Sequence, residues 1–120
     1  MNYLGIDLGG TNIAAAVVEE SGRIVGRASL PTPRGIEAVA DRIAETARAA
    51  VSAAGITLEQ VVSVGVGSPG TIQPDAGVVK YWSNLNFNNV PLAELLSNRL
   101  GRPVLLENDA NAAALGEYAA

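Results

Sequence analysis

Cysteine and histidine are both absent from the 120 residues. This removes disulfides, thiolate nucleophiles, zinc sites built on Cys and His, and histidine general bases. Acid–base chemistry in this chain falls to carboxylates, Lys80 or tyrosines. A bound metal has to be a hard, oxygen-seeking ion such as Mg²⁺. Charge is also scarce, with 17% charged residues, a net charge of −4 and no basic cluster. That argues against nucleic acid or an anionic membrane as the main partner. No apolar run approaches the length of a transmembrane helix, and no basic-then-apolar leader precedes Tyr3. The expectation is a cytoplasmic protein. What is abundant is apolar side chain, 48% of the residues, which suits a globular chain with one domain and one hydrophobic core.

Tyr3-Leu4-Gly5-Ile6-Asp7 reads as a buried strand, and Gly9-Gly10 as a tight turn. Residues 13–18 form a second strand, Ser21-Gly22 turns the chain, and residues 23–30 form a third, giving an antiparallel meander. From Ile36 the positions Val39, Ala40, Ile43, Ala47, Val51 and Ala54 recur at helical spacing, and Gly55 closes the helix. Residues 61–66 are a β-branched run typical of a buried parallel strand. Residues 70–89 are turn-rich and polar, with a hairpin signal at Pro74-Asp75-Ala76-Gly77. Pro91 opens a short helix carrying Leu92, Leu95, Leu96 and Leu100, which Gly101 ends. Residues 103–106 form a last strand, and a helix begins near Asp109. The predicted order is βββαβαβα, an α/β domain with right-handed crossovers and a mixed sheet with helices on its faces.

Four stretches carry the polar chemistry. Gly65-Val66-Gly67-Ser68-Pro69-Gly70 spells G-x-G-x-x-G, but a dinucleotide-binding turn would open a helix immediately, and Thr71-Ile72-Gln73-Pro74 follows instead. What remains is a glycine loop where backbone approaches something closely, or a plain strand-to-loop transition. In Asp7-Leu8-Gly9-Gly10-Thr11-Asn12 an acidic residue ends a strand and two glycines make the turn. Such a turn can present consecutive amides as an anion nest, with Asp7 holding Mg²⁺ through water, or it can be an ordinary hairpin tip. Ser83-Asn84-Leu85-Asn86-Phe87-Asn88-Asn89 alternates amide and apolar residues. If extended, it places Asn84, Asn86 and Asn88 on one face, where amides suit the mixed donor–acceptor pattern of a sugar; the alternative is a solvated turn. Tyr81 and Trp82 beside it can stack on a sugar ring or pack. In Glu107-Asn108-Asp109, Asn108 or Asp109 either caps the helix that follows or presents a carboxylate base.

Taken together and in this order, residues 7–12, 65–70, 84–87 and 107–117 resemble the amino-terminal half of a sugar kinase of the ROK family (repressors, open reading frames, kinases). That family lies within the actin-like ATPase and hexokinase group, and the likeness is to its bacterial ATP-dependent glucokinases. The most specific part is Glu107-Asn108-Asp109-Ala110-Asn111-Ala112-Ala113-Ala114-Leu115-Gly116-Glu117. The resemblance implies a ribonuclease-H-like domain and transfer of the ATP γ-phosphate to the 6-hydroxyl of glucose. It implies Asp109 as the catalytic base, and Gly70, Asn84, Asn108 and Asp109 as sugar-binding residues. It also implies that Asp7, Gly9, Gly10, Thr11 and Asn12 face the ATP phosphates and Mg²⁺, with Asp7 the metal-side residue. Kinases of the family are longer, and their second domain carries most of the adenosine pocket, further sugar ligands and a cysteine-rich zinc motif that these residues lack. The expectation is one domain of a two-domain kinase, with little or no activity alone, weak sugar binding, and apolar surface on which a homo-oligomer can form. The alternatives are a kinase for another hexose or an N-acetylhexosamine, the sugar-sensing domain of a ROK repressor, and a non-catalytic actin-like domain.

Overall fold

Apolar runs broken by short glycine and polar turns set the first third of the chain as strands. In the computed structural model, which describes residues 1–108, β1 (Asn2–Leu8), β2 (Asn12–Glu19) and β3 (Ile24–Pro31) form the expected antiparallel meander. β1 is central. It pairs antiparallel with β2, Ile6 opposite Ala15, and parallel with β4 (Val61–Gly67), Ile6 beside Val66. β8 (Val104–Glu107) extends the parallel side with Leu106 beside Val66, so the sheet order is β3-β2-β1-β4-β8. Side chains alternate across a strand, and this register gathers Leu4, Ile6, Leu8, Ile13, Val17, Val64, Val66 and Leu106 into one buried cluster.

Helix α1 (Ile36–Ala53) lays Val39, Ala40, Ile43, Ala47 and Ala50 into the same core, all fully buried. It ends as a sequence with glycine after the last apolar position should. Gly55 takes a left-handed conformation, its amide reaching the Ser52 carbonyl at 3.0 Å and the Ile56 amide the Val51 carbonyl at 3.2 Å. Helix α2 (Leu92–Leu100) buries Leu92, Leu96 and Leu100 and lies beside α1. Arg99 joins the two helices. Its Nε donates to Asp41 Oδ1 and its Nη2 to Glu37 Oε1, both at 2.8 Å. The Asp41 hydrogen bond, then that of Glu37, holds the guanidinium pKa above its ordinary value.

The main departure from expectation lies between β4 and α2. Instead of a polar, turn-rich stretch, the chain builds a second, three-stranded antiparallel sheet from β5 (Thr71–Gln73), β6 (Val78–Trp82) and β7 (Phe87–Val90). The hairpin signal at residues 74–77 does join β5 to β6. There Gly77 donates to the Pro74 carbonyl at 3.1 Å and accepts from the Ala93 amide at the start of α2. The sheet forms because Val79, Trp82, Phe87 and Val90 are buried against α2 and the main core. Trp82 and Phe87 pack edge to face, with ring centroids 5.9 Å apart. The described order is therefore βββαβ, three further strands, αβ. The expected helix near Asp109 lies outside the described residues. No helix among the described residues is long and apolar enough to cross a membrane.

Candidate functional site

The parallel part of the sheet aligns its carboxyl ends. Asp7 closes β1 beside Gly67 of β4, and Gly67 lies beside Glu107 of β8. Ligands of open α/β sheets bind outside these strand ends. With only a glycine between them, the Asp7 and Glu107 backbones are two strand spacings apart, roughly 10 Å.

Immediately beyond β4 the chain keeps its ladder for one more residue, Ser68 donating to the Glu107 carbonyl at 2.8 Å. The loop then turns at Gly70, whose φ of +88° favours glycine. A β-carbon there would lie 2.9 Å from Trp82 Cβ and within overlap of the Tyr81 carbonyl oxygen, because the loop crosses directly over β6. Asn108 fixes the loop from the other side. Its Nδ2 donates to the Gly70 carbonyl at 3.0 Å and, at 3.5 Å, to that of Ser68. Gly70 and Asn108, both expected on the sugar side, are thus in direct contact. No hydrogen bond among the described residues engages Asn108 Oδ1.

Asn84 reaches the site differently from the expectation. Residues 84, 86 and 88 do not share the face of one strand. Ser83–Leu85 is a single 3-10 turn, Asn86 ends it in the left-handed conformation at φ 56°, and only then does β7 begin. The exposed–buried alternation persists, with Asn84, Asn86 and Asn88 exposed and Leu85 and Phe87 buried, but it runs across a turn and not along one extended strand. Asn84 stays exposed and sits at the tip of the β1–β2 hairpin: a β-carbon on Gly10 would be 3.3 Å from Asn84 Nδ2 and 3.9 Å from Trp82 Cζ2. Trp82 is 6% exposed and serves as packing beneath this contact, whereas Tyr81 is 53% exposed.

The hairpin tip is a tight turn, Gly9 donating to the Asn12 carbonyl at 3.0 Å. Thr32 engages two of its carbonyls. Thr32 Oγ1 donates to the Gly9 oxygen at 2.8 Å, and the Thr32 amide to the Thr11 oxygen at 2.9 Å. The amides of Gly10 and Thr11 have no hydrogen-bond partner among the described residues, and both residues are exposed. Consecutive unengaged amides fit an anion such as a phosphate. Asp7 is exposed at the strand end, on the sheet face bearing Gly5, Ala14 and Ala16. Among the described residues no cluster of three acidic ligands forms. One exposed carboxylate beside a turn with two unengaged amides would suit Mg²⁺ with a phosphate, since Mg²⁺ binds through one or two carboxylates with phosphate and water completing its shell.

Asp109 lies outside the described residues, directly after Asn108. Two residues that hold the site together have no counterpart in the sequence analysis: Thr32, and Arg34, whose Nη1 donates to the Asn84 carbonyl at 2.7 Å; Ser68 figured there only as a position of the glycine loop. Ser68 is fully buried inside the glycine loop. Thr32 stands between Pro31 and Pro33, and a threonine between two residues of fixed φ is the signal of a rigid connection.

The ROK family model matches residues 3–120. A glucokinase from Streptomyces coelicolor is 44% identical over 115 residues, covering 96% of this chain and 35% of its own length. The crystal structure of a ROK family glucokinase from Streptomyces griseus, in complex with glucose and AMPPNP, superposes with a TM-score of 0.84 at 38% identity. It covers 98% of this chain and 36% of that one. An N-acetyl-D-glucosamine kinase from Citrobacter koseri is 38% identical over 96% of this chain and 37% of its own length. A xylose repressor from Caldicellulosiruptor bescii is 39% identical over 51% of this chain and 15% of its own. The chain spans about a third of the length of the glucokinases it matches.

Proposed function

The chain belongs to the ROK family, and from that premise we propose that it supplies one wall of a sugar kinase that moves the ATP γ-phosphoryl group to the 6-hydroxyl of glucose. The observation that carries the reading is the tie between Asn108 and the Gly70 carbonyl at the carboxyl ends of β4 and β8. It sets two polar groups of the expected sugar wall in contact at the strand ends, with Asn108 the residue directly before Asp109.

In this reading Asn84, Asn108 and the Gly70 loop bind and orient the sugar hydroxyls. Asp109 accepts the proton of the 6-hydroxyl as its oxygen attacks, a role worth about 10²–10⁴-fold in rate. The Gly10 and Thr11 amides, with Gly9 and Asn12 shaping the turn, receive phosphate oxygens. Asp7 is the residue that would hold Mg²⁺ through water. When bound, Mg²⁺ neutralises charge developing on the transferred group. Phosphoryl transfer depends chiefly on positioning and electrostatics, which is what short turns at rigid strand ends provide. The likeness to the glucokinases supports glucose and ATP as substrates. The likeness to an N-acetyl-D-glucosamine kinase favours a second reading in which the same wall serves an N-acetylhexosamine.

The test places this chain in the matching segment of the Streptomyces coelicolor glucokinase and follows ATP-dependent phosphorylation of glucose and of N-acetylglucosamine. The expected result is turnover with glucose, with Asp109→Asn lowering kcat by about 10²–10⁴-fold and leaving the glucose KM nearly unchanged. Turnover of Asp109→Asn near that of the parent chimera removes Asp109 from the role of base. A preference for N-acetylglucosamine selects the second reading.

A further inference from the structure

The connection between β3 and α1 touches both halves of the candidate site. At one end Thr32 holds the β1–β2 hairpin through two hydrogen bonds, Oγ1 to the Gly9 carbonyl at 2.8 Å and the amide to the Thr11 carbonyl at 2.9 Å. Two residues on, Arg34 Nη1 donates to the Asn84 carbonyl at 2.7 Å, fixing the 3-10 turn Ser83–Leu85. Pro31 and Pro33 flank Thr32 and restrict the backbone, and Arg42 of α1 anchors the Pro31 carbonyl at 2.6 Å. The hairpin and the turn belong to different sheets. Where they meet, Asn84 Nδ2 lies 3.3 Å from the place a β-carbon on Gly10 would occupy, so the two elements are close neighbours.

We propose that residues 31–34 are a strap that sets the spacing between the phosphate-facing hairpin and the sugar-facing turn, with Thr32 and Arg34 as positioning residues. The inference deepens the kinase reading and rests on it for the identity of the two ligands. The strap itself rests on the hydrogen bonds. A change of spacing between donor and acceptor walls is costly in phosphoryl transfer because reacting groups must be aligned within a fraction of an ångström. Among the described residues, the Thr32 hydrogen bonds go to the hairpin and the Arg34 side-chain hydrogen bond goes to the turn. If the strap transmits, removing either side chain disturbs both.

The experiment measures amide hydrogen exchange and glucose binding by NMR on the chain and on two variants, Arg34→Met and Thr32→Val. Two amides report: Asn86, bonded to the Ser83 carbonyl, and Gly9, bonded to the Asn12 carbonyl. The expected result is faster exchange, about tenfold, at both amides in both variants, with the core amide of Val64 unchanged. Glucose binding weakens by about tenfold in Arg34→Met, the loss of one charge-assisted hydrogen bond. It weakens by a smaller factor in Thr32→Val, although Thr32 lies on the phosphate side. Arg34→Lys, which keeps one donor, falls between. Exchange that rises only at Asn86 in Arg34→Met and only at Gly9 in Thr32→Val overturns the strap, as does no change at either amide. If the unaltered chain binds no glucose, the sugar reading fails, and the exchange pattern still decides the strap.

Discussion

Gly70 holds a conformation and a position that a β-carbon would contest at once, through its φ of +88° and through contact with Tyr81 and Trp82. Gly70→Ala is expected to destabilise the chain by at least about 1–3 kcal/mol, since strain and overlap add, and to move the Asn108 side chain off the loop. Urea unfolding and the Asn108 side-chain amide signals check both effects. Unchanged stability would mean that the loop relaxes freely away from β6. At this scale the sequence pointed to candidate residues more readily than to what each touches. Gly70, Asn84 and Asn108 were marked by the resemblance to the ROK family, since the glycine and amide stretches that hold them read locally as ordinary turns. That Gly70 and Asn108 meet depends on β8 lying beside β4, a contact between residues 38 apart in the chain. Arg34 gave no local sign, since an arginine in a connection looks like any solvated charge.

Among elements, the meander and α1 were legible because their periodicities, two and about 3.6 residues, run long enough to be unambiguous. The second sheet was not. β5 has three residues and β7 four, and β7 contains two asparagines, one of them, Asn89, left-handed at φ 50°. Its stability comes from tertiary burial of Phe87, Val79 and Val90 and not from local preference. Phe87→Ala therefore should cost about 3–5 kcal/mol, whereas Asp41→Ala, which removes one exposed partner of Arg99, should cost under about 1 kcal/mol. Thermal or urea unfolding of the two variants separates these. A Phe87→Ala variant as stable as the Asp41→Ala variant would mean that the second sheet is not packed into the core.

At the scale of the whole molecule, two turns and one loop from two sheets converge on the strand ends of β1, β4 and β8, and this convergence is what the candidate site consists of. It leaves the Gly5, Ala14 and Ala16 face of the main sheet as a broad depression of about 500 Å³ among the described residues. On the proposed reading these residues supply one wall, and one wall meets a sugar with only part of the hydrogen bonds a closed cleft would give. The affinity expected is correspondingly weak, in the millimolar range, near −4 kcal/mol. The most direct test of the account is a ¹⁵N–¹H titration of this chain with glucose at tens of millimolar concentrations, followed by Mg²⁺-ATP. Glucose is expected to shift Gly70, Asn84, Asn108 and Asp109 in a folded spectrum, and Mg²⁺-ATP to shift Gly10 and Thr11. A folded spectrum in which neither ligand moves these signals would contradict the account.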